Sequence, residues 1–423
     1  MKYKFIAFMV FLAFVTLLSG CGGSNLHTDA ANTSPPEITG ISFPGLIPPD
    51  GSEVEGTISF KDPDGDITTA KFEVVEAVDF KPVELKPQVK GQKEGSFKFQ
   101  LSSAIAQHIV LKITLIDEQG NTSDPQELSF VAGEAEVEPG IYLLTRWGRS
   151  GSTNGQFNKP HHLAVDKDGF IYVADGDNHR IQKFDSNGNF VMAWGHYGDL
   201  QGEFNHPWGV AVGPEGDIYV ADGHNHRIQK FDHNGTFLLS WGKFGNDQGQ
   251  FYFPSDVAVD PDGNVYVADA YNHRIQKFDS NGKFLATWGE YGSIRGQFKY
   301  PWGIATDKDG NVYVADGENN RIQKFDSKGV FSAEWGSEGS AKGQFNHPWG
   351  IYVDQEGDVY VSDNLNHRIQ KFNSDGDFIT SWGHYGNGAG EFCYPIGVTV
   401  DQHGYVYVSD SENDRIEKFF VEK

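Results

Sequence analysis

Short apolar runs, separated by Asp- and Gly-containing turns, fill the chain from residue 141 to its end. Between residues 209 and 241 four such pieces, 209–212, 217–221, 227–231 and 237–241, have the length of β-strands and are too short for ordinary helices. The run Ile218-Tyr219-Val220-Ala221 is apolar at successive positions, the pattern of a strand covered on both faces. Turns such as Asp166-Lys167-Asp168-Gly169 and Asp185-Ser186-Asn187-Gly188 join first to second and third to fourth strands. Each group therefore predicts a four-stranded antiparallel sheet.

The pattern copies itself with a step of 47 residues. An Arg recurs at Arg180, Arg227, Arg274, Arg321, Arg368 and Arg415, an Asp at Asp175, Asp222, Asp269, Asp316, Asp363 and Asp410, and a Pro at Pro160, Pro207, Pro254, Pro301, Pro348 and Pro395. Six copies fill 142–423 and leave no room there for another domain. A fourth-strand Trp keeps the same step at Trp147, Trp194, Trp241, Trp288, Trp335 and Trp382, but its first copy precedes any complete repeat, and the last repeat, 392–421, has only three strands. The segment 141–147 is expected to supply the missing outer strand. The expected fold is all-β: a six-bladed β-propeller over 141–423, closed by an N-terminal outer strand.

Read across the copies, the pattern G-x-F-x-x-P-x-G-I/V-A-V-D-x-x-G-x-I/V-Y-V-A-D-x-x-N-H-R-I-Q-K-F resembles the NHL repeat. The resemblance implies the propeller fold and leaves the activity open, because NHL relatives include RNA-binding modules, extracellular sensor domains, peptide-amidating lyases and envelope proteins of undefined ligand.

The Asp, Asn, His and Arg of D-x-x-N-H-R are types used in acid–base catalysis. A catalytic constellation is one asymmetric site, whereas a residue present in every copy satisfies the same buried group in each. These residues are read as structural. His179, His226, His273 and His367 give way to Asn320 and Asp414 in the other two copies while Arg persists, and Asp414 is expected to pair with an Arg. The D-x-D-G segments, such as Asp260-Pro261-Asp262-Gly263, supply the positive φ of tight hairpins without any need for calcium.

Upstream, segments 38–43, 54–60, 71–75, 96–101, 109–116 and 127–131 read as strands of a small β-sandwich over 36–132, similar to bacterial immunoglobulin-like modules, whose expected role is spacing. Within it Asp62-Pro63-Asp64-Gly65-Asp66 is read as a hairpin turn in preference to a calcium loop. Residues 21–35 are small and polar, the composition of a flexible tether. Residues 1–20 read as a signal peptide: Lys2 and Lys4 precede an apolar run too short to span a bilayer. The run ends in Leu18-Ser19-Gly20-Cys21, which resembles the bacterial lipobox and implies a lipidated Cys21 at the start of the mature chain. The expected location is extracytoplasmic, anchored in a bacterial cell envelope, at the outer membrane if the host is didermal. Lipidation of Cys21 also removes the one possible disulfide partner of Cys393.

Composition sharpens the picture. A formal net charge of -24 opposes a phosphate-binding surface, so nucleic acid is not an expected partner. The 51 glycines fit a turn-dense β protein.

Recognition is expected where equivalent copies differ, on the face carrying the long fourth-to-first connections. The position after the repeat Pro reads His161, Trp208, Ser255, Trp302, Trp349 and Ile396, and the position two after the repeat Asp reads Asp177, His224, Tyr271, Glu318, Leu365 and Glu412. Three Trp beside an acidic rim can stack sugar faces or cradle peptide side chains; alternatively they plug the upper channel. The resulting expectation is an envelope-anchored binding or scaffolding protein for a peptide, protein or glycan, with no cofactor and no metal. The alternative is an extracytoplasmic lyase or hydrolase with a metal at the channel mouth, for which His161, His162, His206 and His347 are the nearest imidazoles.

Overall fold

The computed structural model describes residues 34–422. The expected signal peptide, Cys21 and nearly all of the tether lie outside the described residues. The chain divides into two compact units, one ending at Glu134 and one beginning at Ala135.

In the first unit, β1 (Glu37–Ser42), β2 (Leu46–Ile47), β3 (Val54–Lys61), β4 (Ile67–Glu76), β5 (Val83–Leu85), β6 (Glu94–Leu101), β7 (Gln107–Asp117) and β8 (Gln126–Ala132) form two sheets, ordered β1-β3-β6 and β2-β8-β7-β4-β5. The two short strands β2 and β5 carry too few residues to give a period-2 signal, so only the other six are legible in the sequence. Alternation is clearest in β7, where Ile109, Leu111, Ile113 and Leu115 are fully buried. They share one core with Ile58 and Phe60 of β3 and Phe97 and Phe99 of β6, which lie in the other sheet. The Asp62 side chain is fully buried and accepts the N–H groups of Asp64, Asp66 and Ile67, which fixes the turn before β4.

In the second unit, β9 (Ala135–Glu138) pairs with β10 (Ile141–Trp147), and six antiparallel sheets follow, one per repeat. The first contains Pro160–Val165, Ile171–Asp175, Arg180–Phe184 and Phe190–Trp194, and the next four repeat it. The sixth has Pro395–Val400, Val406–Asp410 and Arg415–Val421, whose missing outer neighbour is β10, antiparallel to Arg415–Val421 with Ile141 opposite Val421 and Trp147 opposite Ile416. These repeated four-stranded sheets are those of a β-propeller.

Every second strand is buried at all five positions. The cores form between sheets rather than within them: Tyr172 and Ala174 of the first sheet share a cluster with Ile218, Val220 and Phe231 of the second. Each fourth-strand Trp packs on the third-strand Phe of the following sheet, as in Trp194 on Phe231 with ring centres 5.8 Å apart. Trp147 does the same to Phe184 at 6.0 Å, so β10 packs on the first sheet as a fourth strand of the sixth would. Tight turns bear out their sequence signature: Gly263 sits at φ 82°, and Asp260 caps its turn by accepting the N–H groups of Asp262 and Asn264.

Candidate functional site

The D-x-x-N-H-R residues are scaffold. Asp175 is fully buried and accepts four donors: the backbone N–H of Asn158, Asn178 Nδ2, Arg180 Nε at 2.7 Å and Gln182 Nε2. Arg180 then donates to the carbonyls of Ser152, Thr153 and Gln156, so one buried ion pair pins the long connection that enters the repeat. All six copies pair Arg Nε with Asp in this way. Burial pushes each of these carboxyls above its ordinary pKa, against the pull of the Arg and the N–H donors.

The residue before each Arg has left-handed backbone and hands a hydrogen bond to the next sheet. His179 Nδ1 accepts the N–H of His206, and Asn320 Oδ1 that of His347. Asp414 Oδ1 accepts the N–H of Lys159, so its partner is a backbone amide of the first repeat and not the expected Arg.

The position after the repeat Pro divides. Trp208, Trp302 and Trp349 are half-buried and pack on one another with ring centres 5.3 to 6.0 Å apart. His161 lies on Trp208 at 3.9 Å. Ser255 is withdrawn, its hydroxyl donating to the carbonyls of Ala268 and Pro301, and Ile396 is buried. Among the described residues the indole N–H groups of Trp208 and Trp302 and both nitrogens of His161 are buried with no hydrogen-bond partner, while Trp349 donates to His347 Nδ1. Burial holds His161 well below the ordinary imidazole pKa, so it is neutral at pH 7.

The acidic residues two after the repeat Asp each meet a basic side chain, two imidazoles and one ammonium. Asp177 meets His206 at 2.6 Å, Glu318 meets His347 at 3.3 Å and Glu412 meets Lys159 at 3.0 Å. Aromatic side chains pair likewise, His224 with Phe253 and Tyr271 with Tyr300. Leu365 is exposed. The partner in each case is the residue before the repeat Pro of the next sheet, which adopts φ between 52° and 61° in every copy. That position varies between copies as sharply as the two singled out in the sequence, and its complementarity to the position two after Asp is the signal by which it is found.

A second set of aromatic residues becomes apparent only from its exposure. Tyr197, Phe244, Tyr291 and Tyr385, each three residues after a fourth-strand Trp, are 64 to 68% exposed. Each rests its ring about 5.0 Å from the motif imidazoles His179, His226, His273 and His367. These rings touch the motif imidazoles on one side and leave most of their surface in water at one repeated position.

A cavity of about 1730 Å³ lies toward the tight-turn face and is lined by the first strands of all six sheets and their first-to-second turns. His162 and Asp256 line it and are joined Nδ1 to Oδ1 at 3.1 Å. Asp256 also accepts the N–H of Ile304. Among the described residues the only group with three ligand atoms close enough to share a metal ion is Asp62, Asp64 and Asp66. His161 and His206 lie with ring centres 5.0 Å apart and His224 is a further 5.0 Å from His206. Among the described residues, however, no three histidines bring ligand atoms together, and His162 is engaged by Asp256, His206 by Asp177 and His347 by Glu318.

Comparison with known proteins agrees with this geometry. The NHL repeat model matches residues 157–184, 204–231, 251–278, 298–325, 345–372 and 392–419, one match per sheet. Over 103 residues the chain is 37% identical to the E3 ubiquitin-protein ligase TRIM71 of Rattus norvegicus, covering 24% of this chain and 12% of that protein. Over 45 residues it is 49% identical to the B-box type zinc finger protein ncl-1 of Caenorhabditis elegans, covering 11% and 5%. The chain thus spans only a small part of the length of these relatives. A structural genomics protein of unknown function from Bacteroides thetaiotaomicron superposes with a TM-score of 0.51 at 16% identity, covering 92% of this chain and 99% of that one, a likeness of fold alone. With one NHL repeat to each four-stranded sheet, residues 157–419 are the repeats of an NHL β-propeller.

Proposed function

We propose that this protein is an extracytoplasmic binding protein whose propeller engages a peptide, protein or glycan on the long-loop face. The observation that carries the reading is the aromatic array on that face: three packed, half-buried indoles and the exposed rings of Tyr197, Phe244, Tyr291 and Tyr385. Aromatic rings on a rigid frame supply large contact area at small entropic cost. The enzymatic alternative, a metal-dependent lyase or hydrolase at the channel mouth, has weaker support, since the mouth imidazoles are committed to carboxylates or stacked on indoles.

The same reading makes the propeller a closed ring of six blades with β10 as the outer strand of the last, supported by the pairing of β10 with Arg415–Val421 and by Trp147 on Phe184. It makes the first unit an immunoglobulin-like sandwich that acts as a spacer, supported by two sheets sharing one core. Cys21 is the proposed lipid anchor to a bacterial envelope membrane, on the strength of the lipobox-like sequence alone.

A glycan and peptide array probed with the full chain tests the binding reading and supplies the ligand. Selective capture that is lost when Trp302 is replaced by Ala is the expected result; an array that shows no selective capture overturns it.

A further inference from the structure

The sixfold repeat provides its own control for finding asymmetry. Two residues after the repeat Pro the six copies read His162, Gly209, Asp256, Gly303, Gly350 and Gly397. Glycine fits there because neighbouring first strands converge: a Cβ at Gly303 would stand 2.1 Å from the carbonyl oxygen of Trp349, and one at Gly350 equally close to that of Ile396. Four copies show that the fold needs no side chain in this layer. The two exceptions find each other, His162 from the first sheet and Asp256 from the third, over Gly209 of the second, where a Cβ would come within 2.6 Å of Asp256.

Both side chains are more than nine-tenths buried, and both line the large cavity. Next to this layer the wall is apolar, made by Leu163, Val210, Val257, Ile304, Ile351 and Val398. Toward the tight turns the lining becomes acidic, with eleven carboxylates against four lysines in the whole cavity. The chemistry is therefore graded: a negative mouth, a greasy barrel and one polar pair at the inner end. His162 Nδ1 stands 3.1 Å from Asp256 Oδ1, and Asp256 Oδ2 accepts the N–H of Ile304, so the carboxylate is held in place beside the imidazole. A buried carboxylate beside an imidazole in an apolar wall suits a donor that carries positive charge, and the acidic mouth attracts the same charge from solution.

We propose that this cavity is a second ligand site, separate from the long-loop face, that takes an organic ammonium on an apolar stem, with the ammonium set against the His162–Asp256 pair and Asp256 balancing its charge. The proposal does not depend on the aromatic face, and the two sites are tested by different substitutions.

Calorimetric titration of the full chain at pH 7 with n-hexylammonium, n-hexanol and n-hexanoate decides it. The expected result is saturable binding of n-hexylammonium at one site per chain, at least tenfold tighter than n-hexanol, with no binding of n-hexanoate. Asp256→Gly and His162→Gly, which install the residue found in the other four copies, should each weaken n-hexylammonium at least tenfold. If a glycine variant fails to fold, Asp256→Asn, which keeps the shape and removes the charge, carries the same expectation. Equal affinity for the alcohol, no saturable binding of the amine, or wild-type affinity in the folded Asp256 variants overturns the proposal and leaves the pair a structural tie between sheets.

Discussion

Asp414 Oδ1 accepts the backbone N–H of Lys159 at 2.9 Å, two residues 255 positions apart in the chain. The bond repeats, between the first and last copies, what His179 does for His206 and Asn320 for His347 between consecutive ones. Lys159 also meets Glu412, and Lys418 Nζ donates to the carbonyl of Ser186, so one edge of the sixth sheet holds the first through at least three polar contacts. Deleting Ile141–Trp147 should strip the outer neighbour from Arg415–Val421, bare an edge and the Phe184 face, and give a protein that aggregates on size-exclusion chromatography. Asp414→Ala alone should cost about 1 kcal/mol and lower the melting temperature by a few degrees.

The repeat Asp should be the least forgiving polar residue. Asp269→Ala leaves the Arg274 guanidinium without its carboxylate and the N–H of Tyr252 without an acceptor, and should destabilise the propeller by about 3–5 kcal/mol in urea unfolding. Asp269→Asn keeps part of the hydrogen bonding and should cost less. A half-buried turn Asp, Asp185, should cost no more than about 1 kcal/mol when replaced by Ala.

Lys418 is buried, and desolvation lowers its pKa from 10.5 to about 8, against the attraction of Asp401 and Asp185. Because the folded state releases this proton at lower pH than the unfolded state, the cost of keeping Lys418 charged is fully present below about pH 8. It is relieved as pH rises from there toward 10.5. Lys418→Met should raise the melting temperature at pH 7, and the gain over wild type should shrink steadily between pH 8 and 10. A pH-independent difference between the two proteins contradicts the assignment.

On the long-loop face, Trp208→Ala, Trp302→Ala and Trp349→Ala should each weaken the ligand found on the array by tens-fold, since a desolvated aromatic anchor contributes on the order of 2 kcal/mol. Tyr291→Ser, which removes an exposed ring with little packing, should reduce affinity without changing the melting temperature. Full affinity in the folded Trp variants makes these residues a channel plug.

Cys21 should carry lipid in the native host. Intact-mass spectrometry of the membrane fraction is expected to show a mature chain beginning at an acylated Cys21, and an unprocessed, unmodified N-terminus contradicts the anchor.

The sequence by itself determined the strands, their grouping and the repeat, because a 47-residue period writes the same local physics six times: Asp-Gly turns, a second strand apolar on both faces and a Trp at a fixed offset. It also marked D-x-x-N-H-R as scaffold, since identical residues in every copy serve identical buried groups. Three things only the tertiary structure decided. The short strands β2, β5 and β9 exist because of their partners and not their own pattern. The carboxylates two after the repeat Asp are matched by the residue before Pro of the following copy, a relation between neighbouring sheets that no single repeat contains. His162 and Asp256 meet because the first strands of the first and third sheets converge and a glycine of the second sheet between them leaves room, and proximity between sheets is a property of the assembled sheets.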